Sequence, residues 1–156
     1  MAVDFEAVLA RFTAAVEAGD GEALASLFTP DGVYEDRFYG AKTGRDAIAE
    51  MLEHEFWGHA RGFRWRMFEP VCDGTLGYAR YLFSYSSTLA GVEGRTVVFD
   101  GFSQFRFDPA RDDALIVRYR EQFNTGMAMA QLDFSPTRIA KHLARIAEQL
   151  RIDSGF

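Results

Sequence analysis

Two acidic residues of this chain lie in settings that suit acid–base chemistry. Asp36 follows Glu35 in a short aromatic-rich segment, and Glu121 ends the run Tyr119-Arg120-Glu121. A carboxylate that faces an apolar cavity is disfavoured in its charged form, so its pKa rises toward a value useful for proton transfer. Asp36 and Glu121 are therefore candidate catalytic carboxyls for proton transfer. The alternative for both residues is structural: a pocket-lining or ion-paired carboxylate without catalysis.

Strand alternation predicts which side chains accompany these carboxyls. Side chains two positions apart on a strand point to the same side. Tyr34 therefore shares a face with Asp36, while Tyr119 and Phe123 share a face with Glu121. We expect both faces to line one aromatic pocket, because clustered aromatic side chains suit flat apolar ligands.

The histidines give no metal-site pattern. His54 and His59 are five positions apart, so one helix does not bring them to the same face. Three His and one Cys also make a tetrahedral zinc set implausible. We keep His54 as a pocket acid or base, place His59 on the surface, and place His142 on a solvated helix face. No phosphate-binding Gly-rich loop is present, and we expect neither metal nor cofactor.

Helices are predicted first along the chain. Asp4 caps a helix that Gly19 ends, and a short second helix stops before Pro30. Asp31-Gly32 is predicted as a turn, followed by a strand over residues 33–39. Thr43-Gly44-Arg45-Asp46 has the form of a capping box that opens a third helix.

After Gly62 the hydrophobic period changes to two. The alternation predicts four strands joined mostly by short Gly-containing turns, which is typical of an antiparallel meander. Ser135-Pro136 then begins a final helix over about 136–151, whose aliphatic face is expected to pack on its own domain. Helices followed by strands predict an α+β fold, in which the early helices close a curved antiparallel sheet into a cone around an apolar pocket. The predicted strands are 63–72, 76–89, 96–107 and 114–124.

Composition bounds the remaining possibilities. A length of 156 residues suits one domain, 1–156, and the net charge of −6 disfavours nucleic acid. Cys72 is the single cysteine, which excludes an internal disulfide, and no apolar run reaches the roughly 20 residues of a membrane span. Because residues 1–6 also lack a signal-peptide pattern, a cytoplasmic location is expected. An Arg-rich, Ala-rich composition suggests a bacterial source.

Several short motifs run in a fixed order along the chain. They are Arg11-Phe12, Gly19-Asp20, Phe28 to Asp36, Gly44 to Ile48, and Ile116 to Phe123. In this order the chain resembles the ketosteroid-isomerase-like and SnoaL-like (polyketide cyclase) superfamily, which shares its cone with nuclear transport factors. The resemblance covers about residues 5–124 and leaves out the segment from 126 onward.

The resemblance assigns Asp36 the place of the general base of ketosteroid isomerase. It places Phe12 and Ser103 where that enzyme has the Tyr and Asp that stabilise the oxyanion. Loss of one oxyanion donor costs about 100–1000-fold in rate, so steroid isomerisation is not expected. Phe12 and Ser103 are instead predicted to contact a ligand.

Glu121 carries a second likeness. The run that it ends resembles the Trp-Arg-Asp of limonene-epoxide hydrolase, whose Asp belongs to an Asp-Arg-Asp set that activates water. Arg80 is available on the neighbouring predicted strand, but Leu82 stands where the second Asp is wanted. Epoxide hydrolysis by that complete set is therefore not expected.

The opposite face of the predicted sheet is charged and aromatic, which favours a homodimer through this outer face over an ordinary solvated surface. Three functions remain open. The first is a cofactor-free isomerase, lyase or cyclase that acts on a hydrophobic small molecule. The second is a non-catalytic binding protein, and the third is a dimeric assembly module. The outer-face residues are Arg64, Arg66, Phe68, Asp100, Phe102, Gln104, Arg106, Arg118 and Arg120.

Overall fold

The computed structural model describes residues 3–156, so the first two residues of the N-terminal segment considered above lie outside it. Helix α1 (Phe5–Ala18) begins at Asp4, whose side chain accepts a hydrogen bond from the Ala7 amide at 3.1 Å. It ends at Gly19, which has a φ of 67°. Both predicted ends of the first helix are confirmed.

The first strand starts earlier than predicted. Helix α2 (Gly21–Ser26) is followed by β1 (Phe28–Asp36) and by the short edge strand β2 (Gly40–Thr43). The register of β1 shifts between Phe28 and Val33, so the predicted Asp31-Gly32 turn is an irregularity inside the strand. Strand β2 was not predicted, because four residues are too few to show an alternation.

The predicted capping box does not form. Thr43 is the last residue of β2 and pairs with Val33, so Gly44 becomes the cap of α3 (Arg45–Glu50), without a side-chain hydrogen bond. The helix continues as a π-helical segment (Met51–Phe56) and one further turn, α4 (Trp57–His59). Sheet pairing therefore overrides the local capping pattern.

The predicted meander is confirmed. Strands β3 (Ala60–Cys72), β4 (Leu76–Ser87), β5 (Thr96–Phe107) and β6 (Ile116–Phe123) pair antiparallel in sequence order. The full sheet has the order β2-β1-β6-β5-β4-β3 and is curved, with helices at both ends of the chain packed against it.

One strand pair departs from the predicted antiparallel sheet. β1 runs parallel to β6, with Tyr34 opposite Tyr119 and Glu35 opposite Arg120. Tight turns fix the direction only of consecutive strands, whereas β1 and β6 are joined through the whole intervening chain. The pairing has a direct consequence for the site, because it places Asp36 beside Glu121.

Aromatic packing fills the narrow end of the cone. Phe12 of α1 is fully buried, and its ring centroid lies 5.3 Å from that of Trp65 and 4.8 Å from that of Tyr119. The ring also packs against Phe28, Tyr34 and Phe105. Helix α1 thereby closes one end of the curved sheet, and the packed aromatic rings fill the space between them.

The C-terminal helices lie beyond the sheet. After α5 (Thr125–Gln131), α6 (Pro136–Ser154) begins at Ser135, whose Oγ accepts from the Arg138 amide at 3.3 Å. It approaches α5 over Gly126, where a Cβ would lie 3.4 Å from Ile139 and Leu143. The expected inward packing of α6 is partial, because no residue of α6 is fully buried and Leu150 is exposed. Within residues 3–156, no helix is long and apolar enough to cross a membrane.

Candidate functional site

A deep apolar cavity opens at the wide end of the cone. Its volume is about 410 Å³, within the range of about 300–1,000 Å³ that is usual for small-molecule sites. The sheet, the segment around Phe56 to Ala60, and the two C-terminal helices enclose it. Ten of its lining residues are Phe, Tyr or Trp: Phe38, Tyr39, Phe56, Phe63, Trp65, Phe83, Tyr85, Phe99, Phe123 and Phe134.

Asp36 lies at the inner end of this cavity, where β1 ends. Its Oδ1 accepts hydrogen bonds from the amides of Phe38 at 2.7 Å and Tyr39 at 2.8 Å. Burial nonetheless raises the pKa of Asp36, because desolvation of the carboxylate outweighs the two amide donors. A carboxyl held in this way faces the cavity with a fixed orientation.

Glu121 of β6 lines the same end of the cavity. Its Oε2 accepts from the hydroxyl of Tyr81 at 3.1 Å and from that of Tyr119 at 3.4 Å. Part of its surface is exposed to the cavity and the rest is enclosed by protein. Burial first, and then the charge of Asp36, raise the pKa of Glu121 well above its ordinary value.

The two carboxyls are hydrogen-bonded to each other. Such contact requires a shared proton, because two adjacent buried carboxylates repel. The two amides favour the charged form of Asp36, and the pKa of Glu121 is raised well above its usual value. When the pair carries a single proton, the proton therefore resides on Glu121, which donates to an ionised Asp36. The pair contains one acid and one base side by side.

Tyr81 can reach this pair because the residue opposite it is a glycine. Gly101 of β5 lies opposite Tyr81, and a Cβ there would lie 2.7 Å from the tyrosine oxygen. The same Cβ would lie 2.5 Å from the carbonyl oxygen of Gln122. Any larger residue would therefore push Tyr81 away from Glu121.

Four of the predicted ligand contacts lie behind the carboxyl pair instead of in the cavity. Phe12, Tyr34, Ser103 and Tyr119 are buried and do not line it. They pack together, with 2.9 Å between the hydroxyls of Ser103 and Tyr119 and 4.6 Å between the ring centroids of Tyr34 and Tyr119. Alternation placed Tyr34 and Tyr119 on the inner face and the resemblance placed Phe12 and Ser103, but neither could show where the empty space ends.

Phe123 does line the cavity, together with Asp36 and Glu121. Its ring stacks on Phe99 with 4.4 Å between the centroids. The structure therefore brings three of the eight predicted site residues to the cavity wall, and the two carboxyls are among them.

The histidines are placed differently from the prediction. His54 is exposed and does not line the cavity, whereas His59 and His142 do. The π-helical segment that contains His54 changes which residues share a face, and a 3.6-residue period does not foresee this. The spacing of His142 to Ile139 and Ile146, three and four positions away, could have marked it as part of the inward face of α6.

His142 is held in place by two contacts. Its Nε2 lies 2.9 Å from Oγ1 of Thr125, and its ring stacks on Phe38 with 6.0 Å between the centroids.

Within residues 3–156, no group of three His, Cys, Asp or Glu side chains is placed to hold a metal ion.

Comparison with known proteins gives a family match and a consistent fold. The SnoaL-like domain family matches residues 9–119. A ketosteroid-isomerase-like protein from Catenulispora acidiphila, solved with trimethylamine, is 17% identical over 87% of this chain and 100% of its own, with a TM-score of 0.70. No curated protein matches the sequence.

Two further structures share the fold. A candidate polyketide cyclase from Xanthomonas campestris is 23% identical over 82% of this chain and 96% of its own, with a TM-score of 0.64. An LEH-like epoxide hydrolase from M. tuberculosis is 19% identical over 81% of this chain and 82% of its own, also with a TM-score of 0.64. At these identities the likeness shows the fold alone.

Replacement of Glu121 by Gln should change how stability depends on pH. Because the pKa of Glu121 is raised in the folded state, the folded protein holds this proton to a higher pH than the unfolded chain. The wild type should therefore lose stability as pH rises from about 4.3, the value of a free Glu, through the raised pKa. Glu121→Gln removes this loss, so its free energy of unfolding relative to wild type should rise by about 1 kcal/mol or more between about pH 5 and pH 8.

Urea denaturation at the two pH values measures this difference. Glu93→Gln, at an exposed loop carboxylate, is the matched control and should show no such rise. A Glu121→Gln difference that stays constant or falls with pH would contradict a raised pKa at Glu121.

Proposed function

Because the chain belongs to the SnoaL-like domain family, we propose that it is a cofactor-free enzyme that transfers a proton on a small hydrophobic molecule. The reaction class is isomerisation, elimination or ring closure. The observation that carries the proposal is the hydrogen-bonded pair of Asp36 and Glu121 at the inner end of an aromatic cavity.

The pair has the parts that such a reaction needs. Ionised Asp36 accepts a proton from a C–H or O–H group of the substrate, and protonated Glu121 donates a proton to the oxygen that gains charge. The proton then passes from Asp36 to Glu121 through their hydrogen bond, which restores the starting state. Protons move and no electrons are gained or lost, so the cycle balances without a redox partner.

The structural neighbours are compatible with this chemistry. One is a candidate polyketide cyclase and another is an epoxide hydrolase. Ring closure and epoxide opening both pair removal of a proton from a nucleophile with stabilisation of a departing or developing oxygen anion. An adjacent acid and base support either reaction.

A non-catalytic binding protein is the second candidate. The hydroxyls of Tyr81 and Tyr119 are bonded to Glu121, and Ser103 is bonded to Tyr119. Of Glu121, Tyr81, Tyr119 and Ser103, Glu121 is therefore the one left to donate to a substrate oxyanion, and Phe12 supplies no donor. This arrangement favours binding over turnover if Glu121 does not release its proton.

Replacement of Asp36 by Asn should separate the two candidates. The variant keeps the shape of the side chain and removes the base, so turnover should fall about 100–10,000-fold while ligand binding persists. The assay incubates the protein in D2O with two compound classes, β,γ-unsaturated cyclic ketones and hydroxy-epoxides, and follows isomerisation, ring closure and deuterium uptake by NMR.

Asp100→Asn is the matched control, because Asp100 is an exposed carboxylate on the outer sheet face. Wild type and control should turn over at least one compound at equal rates. Binding without turnover by wild type would favour the binding protein, whereas full activity of Asp36→Asn would reject Asp36 as the catalytic base.

We also propose a homodimer through the outer sheet face. This face carries Phe102, which is 60% exposed, beside the exposed apolar side chains of Leu82 and Val98. Glu35 forms ion pairs with Arg118 and Arg120 on the same side of the sheet. Asp100 lies between these apolar side chains, and such a mixed apolar and charged face is compatible with a protein interface. The cytoplasmic location expected above stays a prediction.

Replacement of Phe102 by Asp should dissociate this dimer, because it places a charge at the centre of the contact. Light scattering coupled to size exclusion should report a dimer for wild type and a monomer for Phe102→Asp. Leu150→Asp, at an equally exposed apolar residue of α6, is the control and should remain dimeric. A monomeric wild type, or dissociation by the α6 variant alone, would reject the outer-face dimer.

A further inference from the structure

The last part of the chain forms one wall of the cavity. The family match ends at residue 119, before α5 and α6 begin. Six residues of this later segment nevertheless line the cavity: Ala128, Met129, Leu132, Phe134, His142 and Arg145. This part of the cavity lining therefore comes from residues that follow the family match. A cavity lined by the matched region alone would lack these side chains.

Arg145 is the permanent cation of the cavity wall. Among the lining residues it is the only Arg or Lys, and within residues 3–156 its guanidinium has neither a hydrogen bond nor an ion pair. By contrast, Arg151 on the same helix pairs with Glu148 at 2.8 Å. A guanidinium that lines an apolar cavity without a carboxylate partner is free to bind an anion.

Neighbouring residues hold the part of α6 that carries the exposed Arg145 against the cavity. His142 lies three positions earlier on α6, on the adjacent part of the same helix face. Its contacts with Thr125 and Phe38 hold this part of α6 over the cavity. Burial, and then the charge of Arg145, lower the pKa of His142. The lowered pKa favours the neutral form of His142, and Arg145 supplies the permanent positive charge.

The two ends of the cavity have opposite electrostatic character. The ionised Asp36 and its partner Glu121 repel an anion from the inner end, whereas Arg145 attracts one at the exposed end. The aromatic wall between them accommodates an apolar body. These charges therefore favour the orientation in which an amphiphilic anion has its apolar end toward the carboxyl pair.

We propose that Arg145 is a specificity-determining residue and that the ligand is a ring-containing hydrophobic monocarboxylate. The carboxylate binds the guanidinium at the mouth, the ring system fills the aromatic cavity, and the end remote from the carboxylate meets Asp36 and Glu121. A planar guanidinium matches a carboxylate by two parallel hydrogen bonds, and one cation balances one negative charge. The inference rests on the proposed function, since it names the substrate class of the same site.

Binding of two matched probes tests the inference. The probes are 4-cyclohexylbutyrate and 4-cyclohexylbutanamide, which share ring and chain and differ in charge. Trp65 lines the cavity, so its fluorescence reports occupancy. Wild type should bind the carboxylate about tenfold more tightly than the amide, and Arg145→Gln should remove this preference by weakening the carboxylate alone. Tenfold corresponds to about 1.4 kcal/mol.

Arg151→Gln is the control, because it removes the same charge from the same helix at a residue that does not line the cavity. It should keep the wild-type preference. Equal binding of the two probes to wild type would overturn the inference, as would failure of both to bind, a preference that survives in Arg145→Gln, or an equal loss in Arg151→Gln. None of these results affects the proposed acid–base pair, which is tested without these probes by the turnover of Asp36→Asn.

Discussion

The site depends on one hydrogen bond between two carboxyls, Asp36 and Glu121, in an apolar surrounding. An unpaired buried charge costs several kcal/mol, and two adjacent carboxylates cost more. A shared proton removes one of the charges, and the amides of Phe38 and Tyr39 stabilise the other. A single proton on the pair therefore avoids a second buried charge, and this singly protonated state contains both an acid and a base.

The fold brings this pair together and ends the cavity there. Parallel pairing of β1 with β6 sets Asp36 beside Glu121, although the two residues are far apart in sequence. Behind them, the rings around Phe12 fill the narrow end of the cone, so a ligand cannot pass beyond the carboxyls. In front of them, α5 and α6 complete the aromatic cavity and add Arg145 at its mouth. Core packing thus fixes the depth of the cavity, and the C-terminal helices determine which charge a ligand meets first.

Short-range sequence patterns predicted the features that depend on residues close together in the chain. Alternation correctly placed Asp36 and Glu121 on the inner face, and the four-strand meander followed from its period and turns. The parallel direction of β1 and the position of His142 at the cavity were not predicted, because both are set by contacts between distant segments. Ser103 was expected in the cavity but lies behind it, since a sequence shows which face a side chain takes and not which space other side chains fill.

Carbon-13 NMR titration of the carboxyl carbons of Asp36 and Glu121 in the ligand-free protein tests the shared proton most directly. Two separate steps should appear, with the upper step at Glu121 and well above the value of a free Glu. In Asp36→Asn the Glu121 step should move to lower pH, because the charge of Asp36 is one of the causes that raise it. Two carboxyls that titrate together near their free values, or a Glu121 step that does not move in Asp36→Asn, would contradict the pair on which this account rests.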